Sequence, residues 1–265
     1  MAARNELIRA LEDVRVGIRA SEDWQSSYKK DPKTFKALLA AEAKLETAAA
    51  EYLVGLSQRA IGYVDWSRLP TPVQADAGPV LNNSSPVWKE EETRLSAAVL
   101  DTITHLVATG AIAGESIYGI PVGFSTLDEA ILLAARTQVG KLVSNVTVKS
   151  RDLIREAIQH SIAQGEDVTT AQERLLSIIN NPVRAELIAH TESVNAYQTG
   201  LNNFGKSTGA VSKTWDGLVG ACPICSPLIG ETIGIDEEFD LSTGESIPHP
   251  AAHPRCRCGL VYNYS

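Results

Sequence analysis

Apolar residues recur at helical spacing over most of the chain and at strand spacing only near its end. Leu7, Leu11, Val14 and Ile18 stand four, three and four apart, so residues 4 to about 28 read as an amphipathic helix with a charged outer face. Asp31 is placed to cap a second helix with Pro32 in its first turn, and Phe35, Leu38, Leu45, Ala49, Tyr52, Leu53 and Leu56 continue it. Together they predict an antiparallel helical hairpin over residues 1–64, serving either as a docking arm or as part of the protein's own body. Residues 65–87 carry Pro70, Pro72, Gly78, Pro79 and Pro86 among Asn and Ser and read as a linker. Helical periodicity returns from 88 to about 109, is broken by glycines and Pro121 over 110–123, and resumes at about 126–143, which makes 88–144 a helical region.

Beyond 145 the signals sharpen. Ser150 can cap a helix burying Leu153, Ile154, Ala157, Ile158 and Ile162, with Gly165 at its end. Thr169 with Gln172 forms a capping box for a short helix through Ile179, and Asn181-Pro182 opens a long one that runs to Phe204 and Gly205. Strand character is confined to Val211–Trp215 and Gly259–Tyr262. The expected fold is therefore mainly α: a multi-helix body with a helical hairpin at its start and a small antiparallel β module at its end, within a last domain of residues 145–265.

All four cysteines lie in that module, as Cys222-Pro-Ile-Cys225 and, about thirty residues on, His253-Pro-Arg-Cys256-Arg-Cys258. Two clusters of soft donors far apart in sequence are how a chain builds a tetrahedral zinc site, and such an ion closes a loop too polar to form a core. Five donors, Cys222, Cys225, His253, Cys256 and Cys258, compete for four positions. Spacing alone leaves two disulfides, or reduced thiols, open as alternatives.

Composition adds bounds. With 44% hydrophobic and 21% charged residues over 265 positions, the chain can bury a substantial core. Its net charge of -8 is spread, with ten basic and nine acidic groups in residues 1–62 against four and seven in 200–265, so no basic stripe marks the surface as a phosphate binder. No apolar run is read as a membrane span and the first residues lack a signal-peptide core, so a cytosolic, thiol-reducing setting is expected, which favours metal over disulfides.

Candidate chemistry is sparse. Thr109–Gly114 lacks the lysine of a phosphate loop. His190 and Glu192 stand two apart on a helix and do not share a face, so they cannot converge on one water. The structural expectation is that Glu192 pairs with Arg184, Arg255 or Arg257 and holds the helical body to the cysteine module. Prolines 248, 250 and 254 forbid a helical His249/His253 ligand pair. Four protein donors would also leave a zinc ion no open position. No catalytic residue is assigned, and a zinc-dependent nuclease or other hydrolase is the alternative.

In order, Arg184-Ala-Glu-Leu-Ile-Ala-His-Thr-Glu192, Trp215-Asp216, Cys222-x-x-Cys225, Leu228-Ile229-Gly230, Phe239 and the closing His253-Pro-Arg-Cys256-Arg-Cys258 resemble the head-morphogenesis family of tailed phages typified by the F protein of phage Mu. The resemblance covers roughly residues 145–262, with His190 standing where the family usually has arginine. It implies a minor capsid protein that associates with the portal protein, other capsid proteins and packaged DNA. The implied location is the virion, reached from the host cytoplasm during assembly, with no membrane partner.

Overall fold

The computed structural model describes residues 24–69, 81–217 and 222–265. Most of these are helical, and a small antiparallel sheet closes the chain. Most of the first predicted helix, and with it one arm of the expected hairpin, lies outside the described residues. What is seen of its end is α1, a single turn at Ser26–Lys29, preceded by an extended Gln25 whose side chain caps it.

Helix α2, Pro32–Ala60, starts where the sequence predicts, with the Asp31 carboxylate accepting from Lys33 N. The linker region holds a 3-10 turn at Trp66–Arg68, and Pro86 opens α3, Pro86–Tyr118. Contrary to the expected break at 110, α3 continues unbroken through Gly110 and Gly114. These glycines mark the crossing with helix α6, Pro182–Ser207: a Cβ on Gly110 would stand 1.9 Å from the Tyr197 carbonyl oxygen, and one on Gly200 1.8 Å from that of Val107. Only hydrogen fits between backbones this close, so local helix propensity yields to tertiary packing.

Helix α4, Glu129–Gln164, runs through both the expected boundary at 144 and the expected cap at Ser150. Ser150 is buried in mid-helix, its hydroxyl donating to the Val146 carbonyl at 2.6 Å, which satisfies it without ending the helix. Gly165 terminates α4 as predicted, at φ 65°. Helix α5, Val168–Ile179, begins earlier than the expected box, because Asp167 caps it by accepting from Thr170 N. Helix α6 starts at the predicted Asn181 cap.

The core is a single cluster in which α3 lies between α2, α4 and α6, with Leu95, Val99, Ile103 and Leu106 sealed from solvent. By length and apolar content α3 could cross a membrane, a property that central helices of packed proteins share. After α6 come β1 (Ser212–Asp216), β2 (Thr232–Gly234), β3 (Phe239–Asp240), β4 (Ser246–Ile247) and β5 (Gly259–Asn263). β1 lies between β2 and β5, both antiparallel to it, while β3 and β4 form a separate hairpin. The two strands predicted from sequence are β1 and β5.

Candidate metal centre

The β1–β5 register sets the site. Trp215 faces Leu260 and Asp216 faces Gly259, so the end of β1 lies beside the chain that enters β5 from Cys258. Cys222 and Cys225 sit on a tight turn in which the N–H groups of Cys225 and Ser226 both donate to the Cys222 carbonyl, at 3.1 and 2.9 Å. On the opposite side Cys256 N donates to His253 O at 3.1 Å, and Arg255, between them, takes the left-handed conformation at φ 61°. That conformation is uncommon for a side chain of this size. It belongs to the turn between His253 and Cys256, beyond which Cys256 and Cys258, two apart, both reach Cys225.

All five expected donors are gathered. Cys222, Cys225 and His253 form one mutually close group and Cys225, Cys256 and Cys258 another, so that Cys225 is common to both. Cys225 Sγ stands 3.8 Å from Cys256 Sγ, the separation of two thiolates about 2.3 Å from one tetrahedral ion. Cys222 Sγ is 3.0 Å from His253 Nε2, while His253 Nδ1 is engaged by the Pro254 carbonyl at 2.7 Å and leaves Nε2 to ligate.

The electrostatics suit a cation. Hydrogen bonds from Cys225 and then Cys258 hold the Cys256 thiol well below its ordinary range, and Cys225 is driven up by making them. Cys258 rises to about 12: its bond with Cys225 lowers it, and its bond with Cys256 and burial outweigh that. His253 is raised to about 9 by its bond with Cys256, against the effect of burial. Burial raises Cys222, but backbone N–H groups of Cys225 and Ile224 bring it below its usual value. The buried indole N–H of Trp215 has no oxygen acceptor and lies beside the Cys258 sulfur, which as a thiolate would accept it. One thiolate relaying hydrogen bonds among three buried sulfurs is an arrangement that a thiophilic ion replaces by neutralising several at once. The donors therefore fit a metal ion.

The module is tied to the helices, though not by the expected pair. Glu192 meets none of these three arginines: its carboxylate accepts from Gln138 Nε2 at 2.6 Å. Arg255 instead pairs with Glu186 at 2.9 Å, and Arg257 stands 3.7 Å from Glu42 with its guanidinium 3.6 Å over the Trp24 ring. Arg184 is spent within the body, donating to Val146 O and to the Ser150 hydroxyl at 3.1 and 2.7 Å. The reason is helical phase. Glu186 and His190, four apart, share the buried face of α6, and Glu192 lies on the other side. His190 is sealed against Glu42, at 3.4 Å, and against the edge of Trp24, well away from Glu192.

Tyr28 and Gln198 also belong to the site's support and carry no sequence signal. The Tyr28 hydroxyl donates to the Cys258 carbonyl and accepts from Gln198 Nε2, each at 2.8 Å. His249 stays out of the cluster. It is half-buried against α6, its Nε2 3.1 Å from the Thr199 hydroxyl, and desolvation there pushes it down to about 4. Compared with known proteins, the chain matches no family model, no curated protein and no solved structure.

Proposed function

We propose that the five-donor cluster holds a structural zinc ion and that the protein acts by binding, as a minor head protein of a tailed phage. The observation that carries this reading is spatial: residues of the resemblance spread from Glu186 to Cys258 gather into one packed unit. Trp215 lies on Cys258, Arg255 on Glu186, and the Cys222–Cys225 turn on His253. A motif whose members support one another in this way is a framework for holding a surface. Zinc when bound would neutralise the clustered thiolates and fix the two turns. The chain's own residues do the rest: Arg255 and Arg257 fasten the module to α6 and α2, and Tyr28 and Gln198 hold the Cys258 backbone in place.

Its partners on this reading are the portal protein, other capsid proteins and packaged DNA. The hydrolase alternative needs His190 and Glu192 to act together, and they occupy opposite sides of α6. The test is to purify particles of the encoding phage and to co-express the chain with that phage's portal protein. Presence in particles at low copy, with co-elution on the portal ring, supports the reading. Absence from particles and no association with the portal would sink it.

A further inference from the structure

The sequence predicts an arginine partner for Glu192, yet Arg184, Arg255 and Arg257 are all engaged elsewhere. What Glu192 has instead is a place in the wall of a cleft of about 900 Å³ between α4, α6 and residues 247–251. Among the described residues no cation stands within ion-pair distance of it, and its partners are the neutral amides of Gln138 and Asn195. Burial lifts its carboxyl above the ordinary range, and those amide bonds and the charge of Lys141 do not restore it. A half-buried carboxyl given only neutral hydrogen-bond partners is costly to its own fold, and such groups concentrate at binding sites. The cleft around it is otherwise a recognition surface. Leu133, 64% exposed, and Phe124 give it an apolar flank, and Asn145 of α4 is part of its lining.

We propose that this cleft receives an arginine side chain of a partner polypeptide, its guanidinium paired with Glu192 and the adjoining residues lying against Leu133 and Phe124. Gln138 already occupies Glu192 Oε2, so the incoming group must reach the remaining lone pairs and still satisfy its own donors. The planar fork of a guanidinium suits the carboxylate, where an ammonium presents a compact, strongly hydrated charge. A phosphate placed against the Glu192 carboxylate would be repelled, so at this point of the cleft, which Lys141 and Lys206 also line, the fitting occupant is a cation. The opposing charges are few. Among the described residues Lys141 on α4 is the basic side chain that acts on Glu192, Lys206 is held by Asp236 at 2.8 Å, and His249 is neutral above about 4.

The inference goes beyond the phage reading and does not depend on it, since its test needs no phage component. The full-length protein is titrated with the capped pentapeptide Gly-Gly-Arg-Gly-Gly and with its citrulline counterpart, which keeps the shape and removes the charge. Binding is followed by calorimetry and by the side-chain resonances of Glu192 and Asn145. The expected result is binding of the arginine peptide about tenfold tighter than the citrulline peptide, as a charge-assisted bidentate pair provides. Glu192→Gln, which keeps the Gln138 contact, should abolish the preference, and Lys141→Ala should enlarge it. Equal affinity for the two peptides, no response to either at millimolar concentration, or a preference that survives in Glu192→Gln would each overturn the proposal.

Discussion

Replacing Gly200 by alanine adds one methyl group where α6 crosses α3. That carbon would lie 1.8 Å from the Val107 carbonyl oxygen and 2.9 Å from Ala111 N, both backbone atoms that cannot swing aside. To restore the 3.0 Å that real Cβ contacts keep, the two helices must part by at least about 1.2 Å. A gap of ~1 Å forfeits up to about half the dispersion energy of the atoms facing it, and overpacking of this kind costs about 1–3 kcal/mol or more. Alanine returns about 1 kcal/mol of helix propensity. At the upper end of that cost, which a clash between two backbones demands, the net expectation is destabilisation by about 2 kcal/mol, or a drop in Tm of about 4–8 °C for a chain of this size. Gly140 on α4 is the internal control, since a Cβ there meets nothing within 4 Å. Gly140→Ala should raise Tm by about 2–4 °C. Gly110→Ala combined with Gly200→Ala should cost less than the sum of the two, because both part the same helix pair. Calorimetric melting of the four variants decides the matter. A Gly200→Ala protein that melts at or above the wild type would refute the argument that these glycines exist for close approach.

Metal analysis of the purified protein should give about one zinc per chain, and chelation or Cys225→Ser should lower Tm and expose the thiols to alkylation; full stability without metal would remove the staple. Lys213 is sealed beneath the Phe239 ring with no hydrogen-bond partner, and burial lowers it to about 8. The unfolded chain therefore binds the proton more tightly, so stability should rise between about pH 8 and 10.5; Lys213→Met should flatten that rise in denaturant titrations and stabilise the protein at pH 7 by about 1–3 kcal/mol. Glu91 is buried, yet the Arg59 guanidinium at 2.6 and 2.7 Å and the Tyr63 hydroxyl at 2.7 Å hold its carboxyl below the usual range. Its contribution is present at neutral pH and lost as the pH falls through that lowered value. Glu91→Gln should cost about 3 kcal/mol at pH 7 and remove this part of the acid transition, and an unchanged acid limb would count against the pairing.

Features that depend on neighbouring residues were legible in the sequence, and features that depend on distant ones were not. Asp31-Pro32 and Asn181-Pro182 carry their helix starts locally, and the alternation at Val211–Trp215 and Gly259–Tyr262 marks the two strands that bring the cysteines together. The glycines of α3 misled because their local cost is offset by a crossing with a helix some ninety residues away. Ser150 misled because a serine that can cap can also bond back to the carbonyl four residues earlier. The pairing of Arg255 with Glu186 was within reach, since Glu186 shares the buried face of His190 and Tyr197 by simple helical phase. The part played by Trp24, Gln25 and Tyr28 was not, because nothing local to those residues points to Cys258.

That last contact also bears on synthesis. Tyr28 and Cys258 are 230 positions apart, Gln25 donates to Asp216, and Arg257 covers Trp24. On the ribosome, Trp24 and Tyr28 emerge long before most of what packs on them: Phe35 follows shortly, His190 and Tyr197 arrive with α6, and the Arg257 and Cys258 contacts come last. A copy halted short of Cys258 would lack those last contacts and hold this early segment less firmly, in a form more open to chaperones and proteases. Only a chain translated through its cysteines can complete the packing around Tyr28.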